Sequence, residues 1–407
     1  MTLSTLFKYL IGNRQAILDI AASRNSVFVG LLFVLAAGLA REYDGDDLCS
    51  EPWHLLLPLG ASLVTSALLY MLLKVLLWIR GGEADGRKLG YQELLSLYWM
   101  TAPLALFYGI PVERFLSAGE ATRANLALLA IVSLWRVLLM TRAISVVYGV
   151  NFFRTLFPVM LFADTVALTL IGNTPRPILG IMGGIRLSES ESVILETTFL
   201  VQASGFLSWP IWLIGSFFAV SPTWQLADFR EGPQRRTSPL VWSLAVASIL
   251  IWLVPLPFTQ AEQSLRHHAE TDLRNNRIRE ALELMSAHER DDFPPHWDPP
   301  PRIGYRETKP DIVDVAAHLN VLPVSEWVRQ LYADKFNNSL RGETEPGIWW
   351  ELEPDEIERR IAVIERMPNK DKLVKDHAYG LRQIVGRMPS PLKERIQELI
   401  KDSRSSE

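Results

Sequence analysis

One cysteine, Cys49, is the entire thiol complement of the 407-residue chain. No intramolecular disulfide can form, and the thiol is either free or joins two copies outside the cytoplasm. Histidine is absent between His54 and His267, which removes a membrane serine protease of the rhomboid type, because Ser204 beside Gly205 has no histidine base on a later span. An intramembrane aspartyl protease needs two facing carboxylates, and Asp164 is the one aspartate inside the long apolar runs. No His-Glu-x-x-His zinc pattern occurs, and the glycine-rich stretch Gly172 to Arg186 lacks the Gly-Lys-Ser/Thr ending of a phosphate loop. These absences leave no complete catalytic, cofactor or metal site, so the chain is expected not to be an enzyme. A net charge of −4 gives no electrostatic reason to invoke nucleic acid.

What the chain has in abundance is long apolar sequence. Charged residues make up 21% of it and mean hydropathy is +0.13, but both values average two unlike halves. A hydrocarbon core of roughly 30 Å is crossed by about 20 apolar helical residues. Leu55 to Ile79, Leu94 to Val112, Asn125 to Met140, Leu156 to Ile171, Ile194 to Val220 and Leu240 to Phe258 qualify, with a shorter run from Ser26 to Ala40. The runs are too long and continuous for barrel strands, and lipid demands that every backbone group be paired. The expected fold is all-α: a multi-pass transmembrane helical bundle of about seven spans over residues 26–258, then a small soluble helical domain over 259–407.

Residues 1–25 read as an amphipathic segment, with Leu6, Leu10, Ile17 and Ile20 at helical spacing. A cleaved signal peptide has a much shorter basic lead than the one holding Lys8, Arg14 and Arg24, so the expectation is an interfacial helix leading into an uncleaved span.

Lysine and arginine in short loops set orientation. With the N-terminus inside, inner segments carry Lys8, Arg14, Arg24, Arg80, Arg87, Lys88, Arg142, Arg154, Arg230, Arg235 and Arg236, while outer loops carry Arg41, Arg114, Arg123, Arg176 and Arg186. The asymmetry predicts a cytoplasmic N-terminus, and the expected location is a plasma membrane. Lys74 and Arg136 then lie near inner span ends and snorkel, and Trp53, Trp78, Trp242 and Trp252 form an aromatic belt. Seven crossings place the C-terminal domain outside. The parity depends on the run holding Pro103 and Pro111, since proline breaks a helix ladder, and Arg266, Arg274, Arg277 and Arg279 pull the other way.

In the tail, Thr271 is read as the cap of a helix through Leu273, Ile278, Ala281, Leu282 and Met285. Pro354 opens another with Ile357, Ile361, Ile364 and Met367 on one face, and Ser390-Pro391 announces a third. Helical patterns also cover Ile312 to Leu319, Ser325 to Phe336 and Lys372 to Val385. The proline-rich stretch 293–301 is read as a stiff extended spacer.

Asp164 is the sharpest polar residue, because a carboxylate in mid-span needs a partner. Arg136 on the preceding span is the candidate, and Asp164 and Arg136 form the expected intramembrane polar pair. Its two readings are a structural lock and a proton or solute relay. The acidic loop of Glu42, Asp44, Asp46, Asp47 and Glu51 offers oxygens to calcium but misses the helix-loop-helix spacing, and is read as a solvated loop. Gly180 and Gly184 stand four apart, a spacing for close helix approach. The favoured function is a membrane-anchored scaffold that binds a protein partner through the C-terminal domain, with a homo-oligomer possible. The alternative is a small-solute or proton-coupled transporter using Asp164, Arg136 and spans broken at Pro103, Pro158 and Pro210. Its partners are the lipid bilayer and that protein; cofactors, none.

Overall fold

A computed structural model describes residues 1–43, 45–79, 89–172, 189–220, 224, 237–301, 310–340, 349 and 352–405. The expectations placed on Asp44, Arg80, Arg87, Lys88, Arg176, Gly180, Gly184, Arg186, Arg230, Arg235 and Arg236 lie outside the described residues. All regular structure among the described residues is helical. The chain divides between Gln263 and Ser264 into two compact units.

Among the described residues the first unit holds α1 (Leu3–Leu10), α2 (Arg14–Ala22), α3 (Ser26–Glu42), α4 (Leu56–Ile79), α5 (Tyr91–Trp99), α6 (Ala118–Val147), α7 (Phe152–Gly172), α8 (Glu189–Ala219), α9 (Pro239–Leu253) and the start of α10 (Leu256–Arg274). Among the described residues five segments are long and apolar enough to cross a membrane, and two bent pairs raise the number to as many as seven. That is the length and composition of a membrane-embedded bundle. The exposed apolar surface of α4, α6, α8 and α9 fits this, since lipid replaces water as the solvent of those faces.

The N-terminal segment departs from the expected interfacial helix. Thr2 and Thr5 cap α1 reciprocally, and the Asn13 side chain caps α2 through the Gln15 and Ala16 amides. Between them Gly12 takes φ +76°, a left-handed turn that glycine makes without strain. The resulting helical hairpin packs on α5 and α6, burying Leu6, Tyr9, Ile17 and Ile20. The Tyr9 hydroxyl donates to the Leu97 carbonyl at 2.6 Å and the Trp135 indole to the Leu10 carbonyl at 3.0 Å. A purely interfacial helix would leave the Tyr9 phenol without this buried acceptor. The chain then turns by 104° from α2 into α3, where the Ser26 hydroxyl donates to the Ile20 carbonyl.

The proline-interrupted run is one broken element. After α5, residues Ala102–Gly109 and Val112–Arg114 continue as tighter 3₁₀ turns, because Pro103 cannot donate to the carbonyl four residues earlier. Gly30 lets α3 meet this element closely: a Cβ there would sit 2.8 Å from the Trp99 Cβ. At one end of the unit Tyr43 donates to the Gly109 carbonyl and stacks near Trp252, while Thr259 donates to the Tyr43 carbonyl. Trp252 is thereby a packing residue as well as a span-end aromatic. At the opposite end, where α9 begins, the Ser238 amide bonds the Met1 carbonyl at 2.8 Å. Met1 and Thr259 thus occupy opposite ends of this unit.

The second unit contains the rest of α10, then α11 (Ile278–Ser286), α12 (Ile312–Leu319), α13 (Glu326–Leu340), α14 (Pro354–Arg366), α15 (Lys370–Asp376), α16 (Ala378–Ile384) and α17 (Ser390–Ser405). They enclose their own core, centred on Leu282, Val315, Phe336, Ile361 and Ile396. Two expectations are corrected. Thr271 does not cap a helix, because α10 runs through it to Arg274 and the break comes at Asn276 with φ +60°. Nor is the proline-rich stretch an extended spacer. Phe293 and Trp297 are 2% and 8% exposed and stack on each other at 4.7 Å. The Trp297 indole donates to Glu270, Tyr332 donates to the Pro300 carbonyl, and the buried Lys335 ammonium meets Asp298 and the Pro299 and Pro301 carbonyls. Proline carbonyls have no chain donor of their own to pair with here, so α13 supplies the donors. Burial pushes the Tyr332 phenol well above its ordinary value, with the Asp298 and Glu270 charges adding to it, and keeps it a neutral donor.

Candidate functional site

Helices α7 and α8 lie side by side as an antiparallel pair with a polar step in the middle of an apolar seam. From one end to the other, Leu168 fits against Gly205, Asp164 accepts from the Ser208 hydroxyl at 2.5 Å, and Phe157 lies against Trp212 and Gly215. Beside this row the Trp209 indole donates to the Thr165 hydroxyl at 2.9 Å. Gly205, Ser208, Trp212 and Gly215 recur at three- and four-residue spacing, so they form one face of α8, and the small residues among them let the backbones approach. Pro158 and Pro210 lie within the two helices.

The structure does not bring Asp164 and Arg136 together. Both stand about 16–18 Å from the short turn joining α6 to α7, so depth is matched and direction is what separates them. Asp164 faces α8, whereas the Arg136 guanidinium faces the broken element, where Nε donates to the Thr101 hydroxyl at 3.1 Å and the cation sits 5.4 Å from the Tyr98 ring. Snorkelling is also corrected. The span read as Asn125 to Met140 is a 30-residue helix, which puts Arg136 well inside it, and Thr101 and Tyr98 satisfy the cation locally.

Chemically, the Asp164 step joins two helices through a hydrogen bond. Among the described residues its carboxylate has one hydrogen-bond partner, Ser208, and no second acid or histidine is within hydrogen-bond reach to pass a proton on. Ser204 bonds back to the Leu200 and Val201 carbonyls of its own helix. Sequence reading found Asp164 and missed Ser208 and Trp209; the four-residue spacing of Ser204 and Ser208 beside Gly205 was the signal that pointed to them. Asp164→Asn keeps an acceptor for Ser208, so thermal stability in detergent is expected to stay within about 1 kcal/mol of wild type. Proton flux in proteoliposomes is expected to be the same in both proteins; a loss of flux in the variant would reinstate the relay.

The acidic loop is organised from within. His54 bridges Asp46 at 3.0 Å and Glu51 at 3.2 Å, Asp47 accepts from the Cys49 and Ser50 amides, and Gln260 donates to the Asp46 carbonyl. Among the described residues no three His, Cys, Asp or Glu side chains converge as a metal site. Cys49 is exposed.

In the second unit charge is unevenly distributed along the chain. Arg274, Arg277, Arg359, Arg360 and Arg395 are held in ion pairs with neighbouring carboxylates. Between Arg366 and Lys393, seven lysines and arginines stand against only Asp371 and Asp376, while the remainder of residues 264–407 has 16 against 25 acids. Lys372, Lys375, Tyr379, Arg382 and Arg387 are exposed and recur at near-helical spacing along α15, α16 and the turn after them. They form a basic face with an aromatic at its centre. Comparison with known proteins returned no matching family, no matching curated sequence and no matching solved structure.

Proposed function

We propose that the protein is a noncatalytic membrane scaffold: residues 1–263 anchor it in a cell membrane with the N-terminus cytoplasmic, and residues 264–407 bind an acidic protein partner. The observation that carries this is the segregation of charge in the second unit. A basic face around Tyr379, on a unit otherwise rich in acid, attracts a partner of opposite sign and orients it. An exposed tyrosine amid arginine and lysine has the composition of an interface anchor. The opposite positions of Met1 and Thr259 support an outer location for the C-terminal unit. The internal partners of Asp164 and Arg136 weigh against the transport reading.

A photo-crosslinking residue placed at Tyr379 in the full chain is expected to yield one discrete adduct in cells. The same probe at Val321, exposed on the acidic remainder of the unit, is expected to yield none. Charge reversal by Lys372→Glu with Arg382→Glu is expected to cut the Tyr379 adduct at least tenfold, since each close charge pair contributes on the order of 1 kcal/mol or more. An adduct that survives reversal would refute the basic face as the binding surface.

A further inference from the structure

We propose that the first unit holds one anionic glycerophospholipid in the groove between the α1–α2 turn and α6, with its phosphate on Arg142 and an acyl chain along the groove. The proposal rests on the reading that this unit lies in a bilayer. The groove has a volume of about 500 Å³ and is lined by Leu10, Ile11, Ile131, Trp135, Leu138 and Arg142, among others. That volume is within the range of small-ligand sites, roughly 300–1,000 Å³. Its walls are pinned at two points, by the Trp135 indole on the Leu10 carbonyl and by Arg142 Nε on the Gly12 carbonyl at 3.2 Å.

Arg142 decides the occupant. Nε is used by Gly12, while the guanidinium makes no ion pair among the described residues, and no carboxylate lines the groove. A cation at the edge of hydrocarbon is costly until an anion pairs with it, and the open side of the guanidinium fork matches two phosphate oxygens. Depth agrees. Helix α6 is about 45 Å long against a hydrocarbon core of roughly 30 Å, and Arg142 lies about 8 Å from its C-terminal end, where headgroup phosphates begin. Exposed Arg14 and Arg154 flank the same end and add positive potential. Basic pockets of this kind between membrane helices select anionic headgroups. The remaining lining is apolar and suits an acyl chain.

The test uses the full chain in proteoliposomes that contain brominated lipid, with Trp135 as reporter. Wild-type quenching minus that of Trp135→Phe isolates the groove. Brominated phosphatidylglycerol is expected to reach half-quenching at about one-tenth the mole fraction of brominated phosphatidylcholine, the ratio set by one charge-assisted contact. Unbrominated phosphatidylglycerol should reverse the quenching with the same preference, a measurement that needs no further variant. Arg142→Gln is expected to erase the preference, and Arg142→Lys to keep part of it. Equal quenching by both headgroups, which is what a general lipid annulus gives, would overturn the proposal, as would a preference that survives Arg142→Gln. Absence of quenching by either lipid at every tryptophan would instead overturn the bilayer reading itself.

Discussion

Phe293→Ala is expected to destabilise the C-terminal unit by about 3–5 kcal/mol, the cost of deleting a buried aromatic and leaving a cavity. The ring is almost fully buried and lies 4.7 Å from Trp297 and 5.6 Å from Trp327, so its loss removes the middle member of a three-ring cluster. Trp297 in turn positions its indole on Glu270, at the end of α10. A domain of this size has a net stability of roughly 5–15 kcal/mol, so the substitution removes a large share of it. Hydrogen exchange in the full chain is expected to accelerate across α11 and α13 together. Phe293→Leu, which keeps most of the apolar volume, should cost less than half as much. A spacer reading of residues 293–301 predicts no change from either variant, so unchanged exchange would restore it.

Gly215→Val is expected to have the largest effect in the membrane unit. A Cβ at Gly215 would fall 2.0 Å from the Phe157 ring, and that ring is held against Trp212 at 5.7 Å, so it cannot swing clear without undoing a second contact. Overpacking of this kind costs about 1–3 kcal/mol. In lipid it acts on the term that matters most, since helices there associate through close packing more than through exclusion of water. The melting temperature in detergent is expected to fall. Disulfide formation between Leu168→Cys and Gly205→Cys, in a Cys49→Ser background, should fall several-fold as α7 and α8 separate. Unchanged crosslinking would mean that the seam is not packed through Gly215.

The helical class and the long apolar segments were legible because both are local properties: twenty apolar residues or a three-to-four periodicity can be counted along the chain. The start of a helix at Pro354 was equally local. The error at Thr271 has a related cause. A capping residue has no power to start a helix when a helix already runs into it from the preceding segment. The proline-rich stretch misled for a different reason. Proline content reports stiffness, while the burial of Phe293 and Trp297 depends on α10 and α13, which lie about 25 to 40 residues away.

The polar residues divide in the same way. Sequence alone identified Asp164 as an acid in mid-span and Arg136 as a cation on the neighbouring span, nearer its inner end; the helix bounds bring the two to a similar depth. Only the tertiary structure decided that they do not meet. Each residue turns a helix by about 100°, so the direction a side chain faces is set by which neighbouring helix packs on which face. That choice is made by shape: by Gly205 and Gly215 against α7, and by the break at Pro103 that offers Thr101 to Arg136. The same packing folded the N-terminal hairpin onto α6 and left Arg142 beside a groove, an arrangement that no count of apolar residues contains.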